Sequence, residues 1–361
     1  MRASERMSRA AALSFAALMS VFGVVCTCGR ISSLSGSGAT LTAAAGLAMV
    51  QSTPSTDFEK KPENVSGADP ASDTDSFLDS DSDTELADLV PDSDTDHTGE
   101  NTYLVTESLY RESNMSLNNF YVKNATDLSL DLRGFLSADL PYSYEKTDEP
   151  QVLIVHTHAT ESYMDSDLGY YYESFYPRST DDSRNVVRVG EAICESLKKE
   201  GVESIHCKEH HDDPSYLGAY DNSAESINRC LEEYPSIKIV LDIHRDSITT
   251  DENEKIKPTF TYGGEKAAQI MIMCGNDNYG YYDFPDWEEN MSLAVKLQST
   301  AETKYPGMTR PLYFGNFMYN MNLDPGSLLI EVGTDANTLS EAVRSGEMLG
   351  SVIADVLKSA Q

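Results

Sequence analysis

The sequence predicts an α/β fold: a mixed, mainly parallel sheet with helices on both faces, preceded by a membrane anchor and a disordered acidic linker. Three observations predict it. Short apolar runs such as Val152-Leu153-Ile154-Val155, Ile237 to Ile243 and Ser327-Leu328-Leu329-Ile330 have the length and β-branched content of buried strands. Stretches of helical period separate these runs, the pattern of strands alternating with helices. Finally, composition changes sharply before residue 103, so the fold occupies the C-terminal part of the 361-residue chain.

Taken in order, residues 1–30 read as a membrane anchor or signal segment. Arg2, Arg6 and Arg9 precede a nearly uncharged stretch from Ala10 to Cys28, about long enough to cross a bilayer core. Arginines ahead of such a stretch favour a cytoplasmic N-terminus, so a single-pass chain with its folded part outside the membrane is expected. Cleavage of a signal peptide is the competing reading, with small residues available at Ala43-Ala44-Ala45.

Residues 31–102 read as a disordered acidic linker. Between Thr56 and Glu100, fifteen acidic residues stand against two lysines, a net of −13. Such a segment buries too little apolar surface to offset its ordering entropy, and its charge stretches it into a tether. A solvated spacer is preferred to calcium binding, and His97 is expected to be inert within it. Residues 103–148 form a short N-terminal extension that adds an edge strand or packs on the main domain.

Residues 149–361 read as the main folded domain. Val152–Val155 is its first strand. Asn185 to Glu200 places Val186, Val189, Ile193 and Leu197 at helical spacing, and Gly201 stops the helix. A short strand runs from Val202 to Cys207, and a second helix from Ser223, its expected cap, to Tyr234. The strand delivering His244 follows. Pro258 to Tyr262 and Ala268 to Cys274 read as paired strands flanking Gly263-Gly264. A long helix from Trp287 to Tyr305, the strand delivering Glu331, and a closing helix from Leu339 to Ser359 complete the pattern.

The formal charge of −32 argues against nucleic acid, whose phosphates repel an acidic chain. Four cysteines, Cys194, Cys207, Cys230 and Cys274, fall in the folded region, and nothing in their spacing demands a disulfide.

Chemistry concentrates at three strand ends. The first strand delivers His156-Thr157-His158-Ala159-Thr160-Glu161, the second His244-Arg245-Asp246, the third Glu331-Val332-Gly333. In α/β sheets ligands gather at the carboxyl ends of strands. Imidazoles and a carboxylate there suit Zn2+, which takes nitrogen and oxygen ligands and leaves one position for water. The metal set read from the residues is His158, with His156 second, together with Glu161 and His244. Glu331 is the expected general base, since a carboxylate after Leu-Leu-Ile is costly to bury without a charged partner. Arg245 is expected to bind a substrate carboxylate through its fork, and Asp246 to orient a ligating imidazole. His206, His210 and His211 read as a solvated loop among Lys208, Glu209, Asp212 and Asp213.

The run Val-His-Thr-His-x-Thr-Glu-Ser-Tyr, Asn185-Val186-Val187 at a helix start, Asp242-Ile243-His244-Arg245-Asp246 and Ile330-Glu331-Val332-Gly333 together resemble the stage II sporulation protein P family. The resemblance covers roughly Pro150 to Leu357. It implies an amidase-like fold and a zinc-dependent N-acetylmuramoyl-L-alanine amidase acting on peptidoglycan, with stem-peptide cross-links as a further substrate. It also implies work during sporulation engulfment beside stage II sporulation protein D, a lytic transglycosylase, in the membrane facing the forespore. The family's catalytic histidines fall at the His156/His158 motif and at His244, and its glutamate at Glu331. The wider amidase group opens its first helix with a ligating Glu where this chain has Asn185, so Glu161 is left to supply that carboxylate. Two further readings stand behind this one: a zinc carboxypeptidase or endopeptidase on stem peptides, and a cell-wall binding protein without activity.

Overall fold

The structure, a computed structural model, describes residues 97–360. Its central feature is an eight-stranded sheet. Four parallel neighbours form the half that carries the site: β12 (Ser327–Thr334), β7 (Ile239–Asp246), β4 (Val152–Val155) and β6 (Ser204–His206). Beyond β12 the direction reverses at β10 (Ile270–Gly275), which pairs antiparallel to it. The sheet continues through β11 (Leu312–Gly315) and β3 (Phe120–Asn124), both parallel to β10, and ends at β2 (Met115–Leu117). The fold is therefore mixed and mainly parallel, as the strand–helix alternation predicts.

Strand β4 is buried at every position. Its two faces meet different layers. Val152 and Ile154, with Ile239, Leu241 and Ile243 of β7, join the larger apolar core built with the helices α2 (Val186–Lys199), α4 (Trp287–Lys304) and α5 (Leu339–Ser359). Leu153 and Val155, with Val240, pack instead with Cys207 and with Ile227 of α3 (Ala219–Glu233). Helices thus cover both faces, and the period-two alternation of β4 and β7 sorts side chains between them.

Asn185 caps α2, its side chain accepting from the Val187 N–H, while Thr338 and Glu341 form a capping box at the start of α5. Helix α3 begins four residues earlier than expected, and Ser223 is not its cap: it lies buried inside the helix and its hydroxyl bonds Thr157 Oγ1 at 2.7 Å.

The expected pairing around Gly263-Gly264 is corrected in one respect. Strand β8 (Lys255–Tyr262) does turn back through those two glycines, both at positive φ, but it pairs with β9 (Glu265–Ala268). The next run, β10, leaves that hairpin for the main sheet. Together with β1 (Thr102–Ser108) and β5 (Tyr170–Tyr172), β8 and β9 make a separate four-stranded sheet. The N-terminal extension therefore contributes to both sheets, through β1 on one hand and β2 and β3 on the other.

His97, expected in the linker, stacks on Tyr172 with centroids 3.6 Å apart, and Glu100 accepts from the Ser174 hydroxyl at 2.6 Å. Residues 97–102 therefore belong to the fold. The rest of the acidic linker and the segment 1–30 lie outside the described residues. The expected single-pass membrane placement is not supported: among the described residues no helix is long and apolar enough to cross a membrane.

Candidate metal centre

Three residues expected at strand ends converge. His158, Glu161 and His244 are all buried, and each offers a ligand atom within 4.8 Å of the others. Glu161 is the hub. Its Oε1 lies 3.5 Å from His158 Nδ1 and its Oε2 3.4 Å from His244 Nδ1. Ligands bound to zinc at about 2.0–2.1 Å in a tetrahedron stand about 3.3–3.4 Å apart, so each separation is close to ligand–ligand spacing, one imidazole at each oxygen of the carboxylate.

The chain positions each ligand by ordinary means. On β7, alternation puts Asp242 and His244 on the face that carries Val240. Asp242 Oδ1 approaches His244 Nε2 to 3.0 Å, an ionic contact that lacks hydrogen-bond geometry and leaves that nitrogen without a hydrogen-bond partner. Asp242 is itself held by the Thr157 N–H at 2.8 Å and the Thr157 hydroxyl at 2.6 Å. It thus ties the His158 turn to the imidazole of His244. Glu161 is fixed from behind by the Arg245 backbone N–H, which donates to Oε2 at 3.0 Å.

Electrostatics concentrates charge here. Burial alone would depress the His244 pKa, but Asp242 and Glu161 overturn it and hold the ring well above the usual imidazole value. Burial works against the Glu161 carboxylate too; His244 and the His158 contact keep it well below the ordinary range. Glu331 moves the opposite way. Burial, reinforced by Asp246, raises it well above the usual carboxylate value, and its Oε2 is buried with no hydrogen-bond partner. The orphaned Glu331 Oε2 and a Glu161 carboxylate held between the Nδ1 atoms of two imidazoles form a donor set that fits a divalent cation.

Three sequence expectations are corrected. His156 is not brought to the cluster. Strand β4 ends at Val155 and residues 157–160 form a turn, so the two histidines are not related by strand alternation. His156 stays on the α2 side. Its Nδ1 donates to the Ile243 carbonyl at 2.9 Å and its Nε2 meets His206 Nε2 at 2.9 Å, and burial lowers its pKa to about 3. Arg245 does not present its fork to a substrate. Its Nε donates to the Ser162 carbonyl at 3.2 Å and its Nη2 to the Pro177 carbonyl at 2.8 Å. Asp246 orients no ligand ring; it accepts from Arg310 Nη1 at 2.6 Å and from the Ser247 N–H.

Sequence reasoning missed Asp242, though the alternation Asp242-x-His244 carried the signal. It also missed Tyr216, whose ring stacks on His158 at 4.4 Å, and Tyr220, whose ring meets His158 edge-on at 5.5 Å. No local pattern around Tyr216 announces that contact. Asn185, at the place where the wider amidase group has a ligand, is fully buried and spends its side chain on the α2 cap and the Ser179 carbonyl.

Comparison with known proteins agrees with the motif pattern. The family model for Stage II sporulation protein P (SpoIIP) matches residues 48–354, most of the chain. The chain belongs to the Stage II sporulation protein P family. It is similar to the Stage II sporulation protein P of Bacillus subtilis (strain 168), 27% identical over 225 residues that cover 59% of this chain and 53% of that protein. The chain thus spans about half the length of the curated relative it matches. Among solved structures it is similar to the N-acetylmuramoyl-L-alanine amidase of Clostridium difficile 630, with a TM-score of 0.33, 16% identity and coverage of 59% and 95%. The apo form of the amidase Ami1 of Mycobacterium abscessus gives a TM-score of 0.34, 17% identity and coverage of 59% and 99%. For this SpoIIP-family chain the mixed α/β architecture rests on its own strand order.

Proposed function

We propose that the chain is a zinc-dependent peptidoglycan hydrolase that cleaves the amide between the lactyl group of N-acetylmuramic acid and the first alanine of the stem peptide. The observation that carries the reading is the convergence of His158, Glu161 and His244, both imidazoles on the Glu161 carboxylate, beside the orphaned Glu331 carboxylate. Family membership supports the setting, sporulation, and stage II sporulation protein D is the proposed working partner.

His158, Glu161 and His244 would hold the ion. Bound there, zinc lowers the pKa of a water to about 7 and polarises the scissile carbonyl. Glu331 stands opposite His244 across the ladder, so its carboxylate is on the same face of the sheet. It takes one proton from the attacking water and delivers it to the leaving nitrogen. The carbonyl carbon gains the hydroxyl, the C–N bond breaks, and the products are the lactyl carboxylic acid, which loses its proton to solvent, and the free amine of alanine. Asp242 holds the His244 ring, and Arg245 closes the 162–177 loop over the hub glutamate.

The carboxypeptidase reading needs a cation free to meet a terminal carboxylate. Arg245 and Arg310, its two candidates, are engaged with backbone carbonyls and with Asp246. That observation favours an amide inside the substrate.

The experiment is product analysis from purified peptidoglycan digested by the full chain. Release of intact stem peptides with unbroken glycan is the expected outcome. Release of single terminal amino acids would replace the amidase by a carboxypeptidase, and no release at all, with the transglycosylase added, would leave a wall-binding protein.

A further inference from the structure

We propose a second, thiolate-bearing metal site at Cys207, Glu209 and His211 that takes a soft divalent ion such as zinc. These residues lie on the α3 side of the sheet, and each offers a ligand atom within 4.8 Å of the others. Cys207 and His211 are buried, while Glu209 is exposed and leaves an entry path. The site is distinct from the His158 cluster, which contains no sulfur.

The convergence of the three ligand atoms and the orientation of the His211 ring carry the proposal. His211 Nδ1 meets the His156 carbonyl at 2.7 Å, and a carbonyl only accepts, so Nδ1 bears a hydrogen. Nε2 then points at Ser226 Oγ, 3.0 Å away. The Ser226 hydroxyl donates to Glu209 Oε2 at 2.8 Å. A histidine that ligates a metal through one nitrogen usually donates the other ring N–H to a backbone carbonyl or a carboxylate, and His211 is already held that way. A cation placed among His211 Nε2, Glu209 and the Cys207 sulfur completes the arrangement.

The donor chemistry selects the ion. An imidazole and a thiolate with one carboxylate suit zinc and its softer relatives better than calcium or magnesium, which prefer all-oxygen shells. Burial raises the Cys207 pKa, so the free protein holds a thiol there. Binding breaks the S–H bond and releases that proton to solvent as the metal–sulfur bond forms. Arg229, half-exposed, gives up its 2.5 Å contact with Glu209 to the ion. Because His211 also holds the carbonyl of His156, occupancy steadies the turn that carries His158.

The test uses the full chain with Cys26→Ser and Cys28→Ser, which removes the N-terminal thiols, titrated with Cd2+ alone. A thiolate-to-metal charge-transfer band in the ultraviolet is expected. It should persist in His158→Ala, disappear in Cys207→Ser, and need at least tenfold more Cd2+ in Glu209→Gln. His211→Ala should behave as Cys207→Ser; if that variant fails to fold by circular dichroism, the Cys207 and Glu209 variants decide. No band in the parent chain, or a band that survives Cys207→Ser, would overturn the proposal.

Discussion

Glu331 and His244 face one another directly across the parallel ladder between β12 and β7. In a parallel pair, residues in register project to the same side, so the proposed base and the proposed ligand share one face. The register puts them there without help from any loop. Leu329 faces Asp242 two residues earlier on the same ladder.

Glu331→Gln keeps the size of the side chain and removes the proton acceptor. Hydrolysis should fall by about 10²–10⁴-fold, the usual worth of general acid–base catalysis, while bound zinc is retained. Release rates of stem peptides and metal content, measured on the same preparation, check this. Equal loss of metal and activity would reassign Glu331 as a ligand.

Asp242→Asn weakens the grip on the His244 ring and on Thr157. Zinc affinity at the His158 site should drop by about 10–100-fold, the range for partners that orient a ligating histidine. Competition against a chromogenic chelator reads the change directly.

Arg245→Ala frees the Ser162 and Pro177 carbonyls but keeps the backbone N–H that holds Glu161. Zinc affinity and kcat should both fall, and the loss should be the same for substrates with and without a free terminal carboxylate. A loss confined to carboxylate-bearing substrates would restore the role expected from sequence.

His206 supplies a pH dependence of stability. Burial, with Lys208 nearby, lowers its pKa to about 4 from an ordinary 6.5. The folded state therefore favours the neutral ring. Its contribution is complete above pH 6.5 and is lost as pH falls from 6.5 toward 4, where only the unfolded chain takes up the proton. At about 1.4 kcal/mol per pKa unit the loss is on the order of 3 kcal/mol. Denaturant midpoints between pH 7 and 4 should decline less steeply in His206→Asn. Gly190→Ala should destabilise at every pH, because an added Cβ would lie 2.5 Å from His206 Nε2 and 2.6 Å from His156 Nε2.

The parts of the site that follow strand periodicity were legible. Runs of four to eight apolar residues mark β4, β7 and β12, and the polar residues at their ends mark the chemistry. The same periodicity, applied within β7, separates His244 and Asp242 from Arg245, and would have removed Arg245 from the substrate side. His156 is not placed by that periodicity, because β4 ends at Val155 and a turn follows, where alternation has no meaning. His211 looked solvated because its neighbours are charged, yet packing under α3 buries it. Tyr216 reaches His158 from a loop more than fifty residues away in sequence, and only the fold brings them together.

The central claim is that His158, not His156, holds the catalytic ion with Glu161 and His244. The most direct measurement is zinc stoichiometry after dialysis in chains with Cys26, Cys28 and Cys207 replaced by serine, so that neither the N-terminal thiols nor the second site contributes. One zinc per chain is predicted for that parent and for His156→Ala, and none for His158→Ala. Zinc retained by His158→Ala but lost from His156→Ala would contradict the account.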